Sequence, residues 1–223
     1  MNDKKMIIFN GSPRKKGTSY SFARTIKILA KEKGSKVDII NIVEYFDKEK
    51  NFNSLHRILS ESDIIGLIAP LYVDTLPYMD IWFLEKLLTE YKTDLKGKKF
   101  FAVGQSGFPD IEVSNPLLDS SRLFAQASEM KWMGGLAYGG GARLNGALME
   151  DLGRTGRKIT SGFKIALDDI YRGERISAKS QELLTVRIPK FLYRPLAALL
   201  NSMSRKNARK YGVTDLSKKV YLE

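Results

Sequence analysis

The chain has 223 residues, 43% hydrophobic and 28% charged, which suits one α/β domain with an extension and does not suit a disordered chain. It contains no cysteine and a single histidine, His56, which excludes disulfides, thiolate nucleophiles, cysteine-ligated clusters and histidine clusters for metal. The net charge of +12 is uneven: twelve Lys/Arg against four Asp/Glu from Arg172 onward leave +8 there and +4 on the preceding residues.

In chain order, residues 6–10 form a short continuous apolar run stopped by Gly11-Ser-Pro, the pattern of a buried strand. That run is too short for a secretory signal, and no stretch reaches the about 20 apolar residues of a membrane span, so a cytoplasmic protein is expected. Phe22, Ile26, Ile28 and Leu29 then give helical spacing up to Gly34. Residues 36–43 read as a second strand, 44–53 as a polar connection and 55–59 as a short helix. A third strand over 63–69 stops at Pro70, and a helix over 77–91 turns Ile81, Leu84, Leu87 and Leu88 inward. A fourth strand (98–104), a helix (116–130), a fifth strand (132–138) and a long helix (about 145–171) complete the series. Strands alternating with helices point to a parallel sheet covered on both faces, and right-handed crossovers leave few orders, of which 2-1-3-4-5 is expected. Ligands of such sheets bind beyond the carboxyl ends of the strands, at the switch point, so the loops after strands 1, 3 and 4 matter most.

The first loop, Gly11-Ser-Pro-Arg-Lys-Lys-Gly-Thr-Ser19, offers hydroxyls, cations and a helix N-terminus, the groups a phosphate dianion needs. Its spacing is neither a Walker A loop nor a dinucleotide fingerprint, and a plain N-cap by Thr18 or Ser19 would also account for the hydroxyls. The second, Ala69-Pro-Leu-Tyr-Val-Asp-Thr-Leu-Pro77, is stiffened by two prolines and unusually apolar, a platform for a flat ring; taken singly, Tyr72 and Leu76 read as packing under the next helix. The third, Gly104-Gln-Ser-Gly-Phe-Pro-Asp110, lets backbone approach a ligand at Gly107, though an ordinary turn has the same composition.

Together Gly-Ser-Pro-Arg-x-x-Gly-Thr-Ser, Pro-Leu-Tyr-x-x-x-Leu-Pro and Ser-Gly-Phe-Pro resemble the NAD(P)H-dependent FMN reductase family of flavodoxin-like proteins, and Gly134-Gly-Leu-Ala-Tyr-Gly-Gly-Gly is similar to a segment of some members. The resemblance covers about residues 5–170. It implies a three-layer, doubly wound flavodoxin-like α/β domain over residues 1–172, with a basic helical extension over 173–223. It implies FMN as cofactor, its phosphate held by Ser12, Arg14, Gly17, Thr18 and Ser19. Pro70, Leu71, Tyr72 and Val73 would flank ribityl and ring, and Ser106 and Gly107 would face the polar edge of the ring. NADPH or NADH would be co-substrate and a quinone, flavin or similar small molecule the acceptor; neither a catalytic side chain nor a metal is implied. Thr18 stands where Asn is frequent, Asp74 brings a carboxylate toward the presumed ring, and the cysteine cluster of some relatives is missing. His56 reads as a solvated or structural histidine. A non-enzymatic flavodoxin-type carrier and a redox-inactive nucleotide- or phosphate-binding module remain alternatives; carriers are typically acidic, and this chain has a pI near 9.7.

After Gly173 the chain is basic. Leu196, Leu199, Leu200 and Met203 share one stripe of a helix expected from Pro195, followed by Arg205-Lys-Asn-Ala-Arg-Lys210. A helix packed on its own protein or on a second copy is expected, in a homo-oligomer (dimer or tetramer). Such a tail could cover a neighbouring subunit's flavin and attract NADPH phosphates. A membrane surface is permitted but not favoured, and no nucleic acid is expected.

Overall fold

Apolar runs that alternate sides pair into five strands: β1 (Lys5–Asn10), β2 (Lys36–Asn41), β3 (Ile64–Pro70), β4 (Lys99–Gln105) and β5 (Lys131–Tyr138). All are parallel, in the order β2-β1-β3-β4-β5 expected from the crossovers. This computed structural model describes residues 4–144, 146–186, 190–213 and 215. The chain divides into two compact units, Met1–Val186 and Arg187–Glu223.

The period of two along each strand sorts the core into two layers. Ile7 and Phe9 of β1 face Leu67, Phe100 and the helices α4 (Tyr78–Glu90) and α6 (Asn115–Ala127), through Phe83, Leu87 and Phe124. Met6 and Ile8 face the other way, against α1 (Thr18–Glu32) and α7 (Gly153–Arg172), through Phe22, Ile26, Ile159 and Phe163. Edge-to-face ring pairs lock both layers, Phe9 with Phe83 at 5.0 Å and Phe22 with Phe163 at 5.3 Å between centroids. Each fully buried phenylalanine contributes roughly 1.5–3 kcal/mol. β3 is buried along its whole length, as a central strand covered on both faces must be. Gly66 is paired with Phe101, and a Cβ there would stand 2.4 Å from that ring.

The elements depart from the expected bounds where tertiary contacts intervene. The second strand ends at Asn41, because the Asn41 amide donates to Glu44 (2.9 Å) and its carbonyl oxygen accepts from the Asn10 amide (3.0 Å). Residues expected to extend that strand instead form α2 (Ile42–Phe46). α3 (Leu55–Ser60) and α5 (Lys92–Leu95) are short; His56 on α3 pairs with Asp94 of α5 at 2.7 Å, on the surface. The long helix expected over about 145–171 begins at Gly153, after a 3-10 turn over Met149–Leu152; Asn145, its expected start, lies outside the described residues.

The expected boundary stood at 172/173, whereas the first unit runs to Val186. β5 bulges after Phe100/Trp132, with Gly134 at φ +121°, and the freed Met133 carbonyl accepts from the Ile176 N–H at 2.7 Å. Gln181 of α8 (Ala178–Leu184) then bonds both the N–H and the carbonyl of Ala137 at 2.8 Å. Residues 173–186 thus cover the open edge of β5.

In the second unit a 3-10 turn (Lys190–Leu192) leads into α9 (Tyr193–Lys210), which starts close to the expected Pro195. The Leu196 side chain, expected in the apolar stripe, lies outside the described residues.

Candidate functional site at the carboxyl edge of the sheet

Because the sheet is parallel and in register, Asn10, Pro70 and Gln105 end at one edge, and the loops that follow them converge. The Gly11 N–H donates to the Ile68 carbonyl (2.9 Å), carrying β1 pairing one residue into its loop. The loop then folds on itself: the Ser12 N–H donates to Asn10 Oδ1 (3.3 Å) and the Arg14 N–H to Ser12 Oγ (3.2 Å). α1 starts at Thr18 with Gly17 as its N-cap and no side-chain cap, so the positive end of its dipole opens on the loop. The Thr18 hydroxyl donates to the Gly141 carbonyl (2.8 Å). Of the loop cations, Lys15 turns to Glu49 at 2.6 Å, a hydrogen bond that raises its pKa, while Arg14 stays at the cleft.

The second loop closes in a tight turn. Tyr72 and Thr75 exchange backbone hydrogen bonds (2.9 and 3.2 Å) around Val73 (φ +45°) and Asp74 (φ +67°). Two consecutive left-handed residues are the geometry of a type I′ turn, where Asn-Gly is usual and a β-branched residue is strained. Val73 is 96% exposed at the tip and Asp74 is exposed beside it. The Leu71 N–H donates to the Gln105 carbonyl (2.7 Å), which ties this loop to the third.

In the third loop Ser106 is buried; its hydroxyl donates to the Phe108 carbonyl (3.0 Å) and its N–H to the Tyr138 carbonyl (3.0 Å). Gly107 has only Ala142 near its missing side chain, at 3.9 Å, so its backbone is open to a ligand. The glycines after β5 brace this loop. Gly140 and Gly141 donate to the Phe108 and Ser106 carbonyls (2.8 and 2.7 Å), and a Cβ on Gly139 or Gly141 would stand 2.3 Å from the Pro109 carbonyl oxygen or 2.0 Å from Gln105 Oε1.

Between the three loops lies a cleft of about 200 Å³ lined by Ser12, Arg14, Gly17, Thr18, Pro70, Leu71, Tyr72, Gln105, Ser106, Gly107 and Ala142. Every residue expected from the loops is there except two. Val73 stands exposed at the tip of the turn, and Ser19 is fully buried outside the lining, its hydroxyl without a hydrogen-bond partner among the described residues. Leu76 is in the core, as expected of it singly, while Tyr72 is half exposed on the cleft. Gln105 and Ala142 were missed; Gln105 is the last residue of β4, and the glycine run beside Ala142 entered only as part of the segment similar to some family members.

A further carboxyl was missed beneath the first loop. Asp80, in the first turn of α4, is fully buried, and both its oxygens lack a partner among the described residues. The helix cap before it is Pro77, which has no N–H to offer. Asp80 fills the space a side chain on Gly11 would take, a Cβ there standing 2.1 Å from Oδ2, and burial pushes its pKa well above the carboxylate range. Among the described residues no group of acidic, histidine or cysteine side chains could hold a metal ion.

A doubly wound sheet of this order, with a loop cleft at its switch point, defines a flavodoxin-like protein. Residues 4–110, the part of the chain that carries all three loops, match the family model described as NADPH-dependent FMN reductase. The solved structure of the Trp repressor binding protein from Bacillus subtilis is similar at a TM-score of 0.54 and 13% identity, over 73% of this chain and 97% of that one. A flavone reductase structure is similar at a TM-score of 0.58 and 12% identity, over 77% of this chain and 65% of that one. At such identities these likenesses establish the fold. No curated protein matches the chain in sequence.

Proposed function

We propose that this protein is an FMN-dependent oxidoreductase that passes reducing equivalents from NAD(P)H to a small acceptor. The observation that carries the reading is the convergence of loops of three chemistries on one cleft, within the stretch that matches the FMN reductase family. The residues fit the group. Ser12, Thr18, the Arg14 guanidinium and the uncapped start of α1 form the anion end, suited to a phosphate dianion. Pro70, Leu71 and Tyr72 form a stiff, largely apolar wall that would suit a flat ring, and the open backbone at Gly107 would be free to meet its polar edge. Ser19, outside the lining, keeps a hydroxyl to offer if the loop tightens.

Bound FMN would supply the hydride and electron-transfer chemistry, which asks no nucleophile or metal of the protein. The side chains bind, orient and shield. Asp74, the charge that would disfavour a reduced flavin, stands exposed at the turn tip and outside the lining, where water and salt screen it.

The test is the visible spectrum of protein incubated with FMN and freed of unbound ligand, followed by anaerobic NADPH or NADH. A retained flavin band that bleaches within seconds is the expected result. Retained flavin that does not bleach would make the protein a carrier, and no retained flavin would remove the reading altogether.

A further inference from the structure

Among its described residues the C-terminal unit holds a helix with two unlike faces. α9 runs for about 27 Å. Leu199, Leu200 and Met203 share one face and are each more than half exposed. Arg205 and Arg209 are one turn apart on the opposite side, with Arg194 three turns before Arg205; Lys206 and Lys210 continue the line of Leu199 and Met203 into the last turns. The helix YRPLAALLNSMSRKNARK contains no acidic residue. Exposed aromatic rings mark both ends, Phe191 and Tyr193 at the start and Tyr211 after the last turn.

These features discriminate between partners by charge. A solvated helix needs cations but no stripe of large apolar residues. A nucleic acid would also use the cations and leave the stripe without a purpose. Pairing of α9 with α9 of a second copy would bury the stripe, but it would also bury Lys206 and Lys210 on the same line, and neither helix has an acid to neutralise them. An anionic lipid surface fits both faces, since acyl chains accept the leucines while lipid phosphates meet the cations and the rings sit at headgroup depth.

We propose that α9 lies in the plane of an anionic bilayer, with Leu199, Leu200 and Met203 toward the acyl chains and Arg194, Arg205 and Arg209 toward the headgroups and water. The helix lies on the membrane and does not cross it: among the described residues no helix is long and apolar enough to span. A membrane surface, permitted but not favoured on the sequence alone, is the partner whose chemistry matches both faces.

The test is co-sedimentation of the full chain with phosphatidylcholine vesicles, with and without phosphatidylglycerol, at low and high salt. Binding is expected only with the anionic lipid and weakens as salt rises. Arg205→Gln with Arg209→Gln lowers the partition coefficient on the order of 30-fold, from about fivefold per cation. Leu199→Ser with Leu200→Ser lowers it by at least about tenfold, with the thermal unfolding midpoint unchanged. Three results would overturn the proposal. One is no binding to anionic vesicles. Another is binding that the serine pair leaves intact, together with tight salt-sensitive binding of duplex DNA, which assigns the cations to nucleic acid. The third is a dimer that the serine pair converts to monomer without any vesicle binding, which assigns the face to a second copy.

Discussion

Asp80→Asn replaces a fully buried, unpartnered carboxyl with a group of nearly the same shape that cannot ionise. In the unfolded chain Asp80 titrates near pH 3.9, while in the fold burial holds its pKa well above that value. Below the unfolded pKa both states carry the proton, and the group adds no pH dependence. Above it the unfolded state gives up a proton that the folded state keeps, so rising pH drains stability from the wild type until the folded group ionises too. The slope is at most about 1.4 kcal/mol per pH unit, so the Asn variant gains steadily on the wild type as pH rises above the unfolded pKa, until the folded carboxyl ionises. The amide remains as poorly bonded as the acid, which adds only a pH-independent offset. Urea unfolding of both proteins, followed by circular dichroism at closely spaced pH values, reads the difference as diverging midpoints with equal slopes. Parallel curves, or a wild type that gains on the variant with rising pH, would refute the reasoning and require a partner for Asp80.

Other consequences are more local. Gly66→Ala should destabilise by about 1–3 kcal/mol in the same assay, because its Cβ meets the Phe101 ring at 2.4 Å in a strand buried on both faces. Replacing Val73-Asp74 by Asn-Gly should raise stability by roughly 1 kcal/mol, since both positions are left-handed and the tip contributes nothing to the cleft lining. Arg14→Gln should weaken FMN about tenfold in a flavin-fluorescence titration, with the deficit shrinking as salt rises.

Much of the first unit was legible because single residues carried the signal. The unbroken apolar runs of β1 and β3, each ended by a glycine or proline, located the centre of the sheet, and crossover handedness then left one order to prefer. The cleft followed from that order. What escaped depended on partners distant in sequence. Ile42 and Val43 read as a continuing strand, and the side-chain bonds of Asn41 that end it come from β1 and the next turn. Residues 173–186 look like part of the tail by charge, yet Ile176 and Gln181 bond to β5. Nothing in the sequence singles out Asp80, and only its burial and the closeness of Gly11 in the fold show that it is enclosed. The glycines at 139–141 carried no structural role in the sequence beyond the family-like segment, whereas each permits a backbone contact that shapes the third loop.

The central claim is that the cleft between the three loops holds FMN, and a crystal structure of the protein grown with FMN tests it most directly. The account requires the phosphate against Ser12, Arg14 and Thr18 at the start of α1, with the ring between Pro70–Tyr72 and Gly107. Flavin bound elsewhere, or a cleft that stays empty at saturating FMN, would contradict it.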